Sequence, residues 1–154
     1  MRYFLDTEFN GFGGELISIA LVPEDEARPH FYEAITCKAP TSWVSENVLP
    51  VLEVKPRSRA EVAKRFARYL HNDEAPLLVA DWPEDIAHAS RLLITGPGMM
   101  MPVRGLRFEL FDPDIIIAGG EHPSAVPHNA WHDAAALRAK ILAHELWEAS
   151  FLKG

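Results

Sequence analysis

Residues 2–36 read RYFLDTEFNGFGGELISIALVPEDEARPHFYEAIT. Three runs within it, RYFLD, ELISIALV and HFYEAIT, are short, apolar or alternating, and rich in the aromatic and β-branched residues that suit a pleated surface. NGFGG and PEDEARP between them carry turn-forming residues. The pattern predicts three strands in an antiparallel meander. Successive strand side chains point to opposite faces, so Asp6 and Glu8 project from one side and Thr7 from the other. If the core lies opposite, the two acids converge on one site. Two like charges so placed cost stability when nothing neutralises them.

Beyond this stretch the period lengthens. TSWVSENVLP suits a short helix capped by Thr41 or Ser42 and stopped by Pro50. In SRAEVAKRFARYLHND, Ser58 and Glu61 have capping-box spacing and Val62, Phe66 and Leu70 recur at helical intervals. APLLVAD reads as a buried strand, and WPEDIAHASRLLIT as a helix with Pro83 in its first turn. TGPGMMMPVRG reads as a loop and LRFELFDP as a last strand. PHNAWHDAAALRAKILAHELWEASFL is an Ala- and Leu-rich helix with Pro127 near its start. The order predicts an α/β fold: a mixed five-stranded sheet, antiparallel over its first three strands, with parallel additions through helical crossovers.

A chain of 154 residues, 48% hydrophobic, can build one cored domain spanning 1–154. No run approaches the roughly 20 apolar residues that span a bilayer, and MRYFLDTEF lacks the layout of a secretory signal, so the expectation is a cytoplasmic protein without a membrane partner. Cys37, the only cysteine, leaves no intrachain disulfide and no thiolate cluster. A net charge of −7 argues against a protein that coats nucleic acid by charge alone. It is compatible with a nucleic-acid enzyme whose acids crowd into one site, because divalent cations then neutralise them and grip a phosphate.

Three acidic positions fit such a site. The first is DTE at Asp6 and Glu8. The second, DWPED, crowds Asp81, Glu84 and Asp85 where strand gives way to helix; taken alone these acids are explained by the helix dipole. The third is HNAWHD, with His128 and Asp133 five residues apart, about 7.5 Å along a helix axis and about 140° around it. Taken one at a time, each is also an ordinary solvated strand end or helix start.

In this order and on these elements, the three motifs resemble the DEDDh family of 3'-to-5' exonucleases, over residues 4–140. The family's D-x-E on the first strand is matched by DTE, its second-motif Asp by DWPED, and its H-x4-D at the last helix by HNAWHD, followed by Ala134. MRYFLDTEF, ELISI, SWVSENVLP and SRAEVAKRFARYL further resemble a small bacterial exoribonuclease-like subgroup typified in mycobacteria. Many members have N-x3-D as the second motif. That alignment puts Asp81 at the Asn position and Asp85 at the ligand position, with Asp81 the second choice. The resemblance implies a ribonuclease H-like fold, a homodimer, and hydrolysis of terminal phosphodiesters of RNA or single-stranded 3' ends to nucleoside 5'-monophosphates.

The implied chemistry needs these residue types. A phosphodiester repels its nucleophile, and two divalent cations, Mg²⁺ or Mn²⁺, held by Asp6, Glu8, Asp85 and Asp133, would neutralise it and activate water. His128 would take the proton from the attacking water, as suits a side chain whose unperturbed pKa is about 6.5. Phe9, Phe12 and Leu16 flank the first motif and are candidates to stack on terminal bases. Lys55, Arg57, Arg59, Arg104 and Arg107 are candidates for backbone phosphates. Trp43, Trp82, Trp131 and Trp147 are read as packing, with Trp131 the one to line the site or a dimer contact. Two alternatives stand beside this reading. One is a non-catalytic nucleic-acid-binding relative, against which every acid and the His of the motifs are present. The other is a zinc-dependent hydrolase using His128 and His132, though Asn129 stands where H-E-x-x-H needs its Glu.

Overall fold

The meander forms as β1 (Arg2–Phe9), β2 (Leu16–Pro23) and β3 (Phe31–Ala34) in the computed structural model, which describes residues 1–111 and 121–152. The chain continues through α1 (Ser42–Asn47), a 3-10 turn (Leu49–Val51), α2 (Arg59–Leu70), β4 (Leu77–Ala80), α3 (Pro83–Leu93), β5 (Ile94–Gly96), β6 (Met99–Met100), β7 (Arg107–Leu110) and α4 (Ala130–Phe151). Five strands make one sheet in the order β3-β2-β1-β4-β7. The β1–β2 and β2–β3 pairs are antiparallel, and β1–β4 and β4–β7 are parallel. The fold is α/β, a mixed five-stranded sheet flanked by helices.

Local chemistry explains most boundaries. Thr41 Oγ1 accepts from the Val44 N–H at 3.2 Å and caps α1. Ser58 Oγ accepts from Glu61 N–H at 3.3 Å, but the other half of the predicted capping box is absent. Glu61 turns its carboxylate to Arg57 and Arg65 instead. Pro83 opens α3, where a missing N–H costs nothing. The predicted end of that helix is corrected: Ile94 and Thr95 leave α3 and, with Met99 and Met100, make the two-stranded β5–β6 sheet inside the segment read as loop. Of LRFELFDP, Arg107–Leu110 is strand, while Asp112 and Pro113 lie outside the described residues. Among the described residues no helix is long and apolar enough to cross a membrane.

The sheet is apolar on both faces. Tyr3, Leu5, Ile19 and Leu78 pack against Val62, Phe66 and Leu70 of α2 and Ala89, Leu92 and Leu93 of α3. Phe4 and Val79 pack on the other side against Leu137 and Ile141 of α4. A core thus lies opposite the two acids, as the convergence of Asp6 and Glu8 required, and a second apolar cluster also shares their own face. By strand alternation, Asp6 and Glu8 continue the row of Phe4 toward the start of α4.

Candidate metal centre

Small residues bring α4 onto the sheet where β1 ends. Ala130 and Ala134 pack on Ala20, with Val22, Tyr32 and Trp131 around them, and Ala20 is the β2 partner of Asp6. Close approach of two backbones needs such short side chains. The first turn of α4 is set by Asn129, which is fully buried. Its Oδ1 accepts from the N–H groups of Trp131 at 3.0 Å and His132 at 3.4 Å, and its Nδ2 donates to Val51 O at 2.6 Å. The helix thus starts at its Asn cap, two residues after Pro127. His128 has φ +67°, a left-handed conformation that His tolerates better than most residues. Its N–H donates to Asp133 Oδ2 at 3.0 Å, which holds that carboxylate toward the sheet end.

Asp6, Glu8 and Asp133 each present a carboxylate oxygen such that all three lie within 4.8 Å of one another. Asp6 Oδ2 is buried without a hydrogen-bond partner. A buried carboxylate oxygen without a donor carries a full desolvation cost, and a cation is the direct remedy. The electrostatics agree with the geometry. Burial, then the charges of Asp85, Glu8, Asp133 and Asp81, hold the Asp6 carboxyl well above the usual carboxylate range. Glu8 is pushed up to about 8 by burial and then by Asp133 and Asp85. Asp85 is pushed up to about 7 by burial, partly opposed by its hydrogen bonds to Thr7 and reinforced by Asp81 and Glu84.

Asp85 is 2% exposed. Its Oδ1 accepts from Thr7 Oγ1 at 2.6 Å and from Thr7 N–H at 3.1 Å. Thr7 points to the face opposite Asp6 and Glu8, so Asp85 reaches the end of β1 from the α3 side and stands outside the close three-way group. Asp81 is half-buried and lies 3.7 Å from Lys140 Nζ. The His128 ring is exposed and sits edge-on to Trp43, with centroids 4.9 Å apart. His132 Nε2 lies 3.0 Å from Glu53 Oε2, apart from the three-acid group.

The aromatic candidates separate. Phe12 is 98% exposed in the β1–β2 turn, Phe9 stacks on His88 at 4.8 Å, and Leu16 is 3% exposed within the core. Leu16 packs in the core and also lines a cavity beside the β1–β2 turn. The turn itself needs its glycines: a Cβ on Gly14 would stand 2.0 Å from Asn10 O. Trp43 and Trp82, read as packing, are exposed, and Trp131 stacks on His30 at 4.3 Å. Two residues at the site, Thr7 and Asn129, had no site role in the sequence reading, and Trp43 was read only as packing. The signal for Asn129 was an Asn directly before the helical run, at the cap position. Thr7 carried none, because alternation placed it on the far face.

Comparisons with protein-family models, with curated proteins and with solved structures find no match to this chain. The donor set itself fits hard divalent cations: carboxylate oxygens only, close together, with one buried oxygen lacking any partner.

Proposed function

We propose that the chain is a metal-dependent 3'-to-5' exonuclease of ribonuclease H-like architecture, acting on RNA or single-stranded 3' ends and releasing nucleoside 5'-monophosphates. The observation that carries the reading is the unpartnered, buried Asp6 Oδ2 beside Glu8 and Asp133. The sheet order, with its antiparallel meander and two parallel additions, supports the architecture. Asp6, Glu8 and Asp133, with Asp85 from α3, would hold the cations. When bound, a divalent pair supplies phosphate neutralisation and a lowered pKa for the attacking water.

The protein groups have separate tasks. Asp6 and Glu8 are fixed on a central strand, which presents their carboxylates from one face to a cation. Thr7 locks one oxygen of Asp85 through two hydrogen bonds and leaves the other free of protein donors among the described residues. Asp133 is held by the His128 N–H. His128, whose exposed imidazole packs against the Trp43 edge and whose N–H holds Asp133, would take the proton of the attacking water at a ring nitrogen. Phe12, exposed beside the first motif, offers a face to a base. A homodimer remains part of the proposal.

Digestion of 3'-end-distal labelled single-stranded RNA and DNA in Mn²⁺, run beside Asp6→Ala and His128→Ala, tests the function. Stepwise trimming by the native protein and its loss in both variants is expected. Intact 3' ends with the native protein, or unchanged trimming in both variants, would end the nuclease reading. Replacing Asp81 and Asp85 separately assigns the second motif; loss only with Asp81 would overturn the choice of Asp85.

A further inference from the structure

A cavity of about 750 Å³ opens between the β1–β2 turn, the end of β3, the start of α2 and the middle of α3. Its walls carry four cationic side chains, Lys38, Arg57, Arg59 and Arg91, against one carboxylate, Glu15. In a chain of net charge −7 this is a strong local reversal of sign. Arg57 is already engaged, through Nε with Glu33 at 3.0 Å and through one terminal nitrogen with Glu61 at 2.9 Å. Arg59 donates to the Arg91 carbonyl at 2.9 Å, which ties α2 to α3 across the opening. Lys38 and Arg91 are exposed, and neither charge has an ion-pair partner among the described residues. The wall residue His88 is held below its ordinary pKa by burial, partly opposed by Glu84 and reinforced by Arg91 and Arg59.

The cavity opens at the same end of the sheet as the acid cluster, on the α2–α3 side. His88 follows Asp85 by three residues on α3, about 4.5 Å along the helix axis. Phe9, the residue after Glu8, stacks on the His88 ring. One stacked pair, Phe9 on His88, thus stands between the last acid of β1 and the cavity wall. Acids that hold cations at one end and unpaired cations at the other suit a ligand with several phosphates along one chain. Guanidinium groups and an ammonium bind phosphate without reading sequence.

We propose that this cavity binds the phosphodiester backbone of a single-stranded nucleic acid, upstream of the 3' end held at the acid cluster. This rests on the reading of that cluster as the exonucleolytic site. The shortest substrates, which end before the cavity, do not use it. Longer strands gain affinity from it, and the gain is salt-dependent.

The test uses the full chain and a labelled ten-nucleotide single strand of RNA, with binding read by fluorescence anisotropy in EDTA, where no trimming occurs. Lys38→Gln with Arg91→Gln removes two charges that hold no partner in the fold. The expected result is about tenfold weaker binding at low salt, and a salt slope smaller by about 1.4, since each single-strand phosphate contact contributes about 0.7. Dinucleotide trimming in Mn²⁺ is expected to stay unchanged in the same variant. Adding Arg59→Gln deepens the binding loss, with urea unfolding as the check on folding. Native-like decamer binding by the double variant overturns the cavity site, as does an equal loss on dinucleotide and decamer. Equal displacement of the decamer by a nucleoside monophosphate, or by polyglutamate at matched charge, overturns the strand as its occupant. If the native protein trims nothing but the double variant still loses decamer binding, the cavity stands and the exonuclease reading falls. If the native protein neither trims nor binds, both fall.

Discussion

The two faces of β1 differ in what lies at their ends. On the α2–α3 side, Tyr3 and Leu5 are fully buried and the row closes on Thr7, whose hydroxyl donates to Asp85. On the α4 side, Phe4 is fully buried and the row then runs into Asp6 and Glu8 beside Asp133. One face satisfies every group along the strand; the other leaves a buried carboxylate oxygen with no partner. The first face is built for stability. The second gives up stability in the metal-free protein to keep a preorganised group of acids, a trade expected where function resides.

Substitutions that act on one face alone break this contrast most clearly. Phe66→Ala removes a fully buried ring from the α2 side and is expected to cost about 3–5 kcal/mol in urea unfolding. Its response to Mn²⁺ should be unchanged; a lost response would show that the two faces are not independent. Asp6→Asn is expected to lower trimming by more than about a hundredfold, since even groups behind a metal ligand are worth 10- to 100-fold. The same change should raise the metal-free unfolding midpoint, because it removes one member of a like-charge cluster. A lower midpoint would contradict the account of Asp6.

Asn129→Ala sharpens the comparison at the α4 end. Loss of the cap is expected to cost about 1 kcal/mol and to slow trimming, because Asn129 sets the turn that carries His128 and Asp133. Stability and rate measured on the same sample separate the two effects.

The pH dependence of stability in EDTA reads the same charges. Glu8 at about 8 and Asp85 at about 7 lie above their ordinary values of 4.5 and 3.8. A carboxyl whose pKa is raised on folding makes the native state bind more protons than the unfolded chain, so stability falls as pH rises. Between pH 5 and pH 8.5 the urea midpoint should fall without metal, a window set by those two groups, and the fall should be smaller in Asp6→Asn. A midpoint that rises across this window would contradict the charge arrangement.

Much of this was legible in the sequence where one rule acted alone. Alternation and turn residues placed β1 to β3, Phe66 and Leu70 marked the buried stripe of α2, and the three motifs named residues that the fold brings to one end of the sheet. The rest depended on partners distant in sequence. Alternation could not show that Asp85 would reach Thr7 from α3, nor that α4 would cover the face carrying Asp6. Glu61 matched a capping box until Arg57 and Arg65 competed for its carboxylate. The β5–β6 pair was hidden because Gly and Pro mark a tight hairpin and an open loop alike. Leu16 was offered as a base contact from its nearness to Glu8; the strand packs it into the core while it also lines the cation-walled cavity.

The central claim is that the α4-side acids of β1 form a divalent-cation site. Thermal unfolding across a Mn²⁺ titration, for the native protein and Asp6→Asn, tests it without requiring turnover. A site specific to the folded state predicts a Tm that climbs with Mn²⁺ concentration in the native protein, following RT ln(1 + [L]/Kd), and a flat response in the variant. An identical response in both proteins, or no rise in the native one, would contradict it.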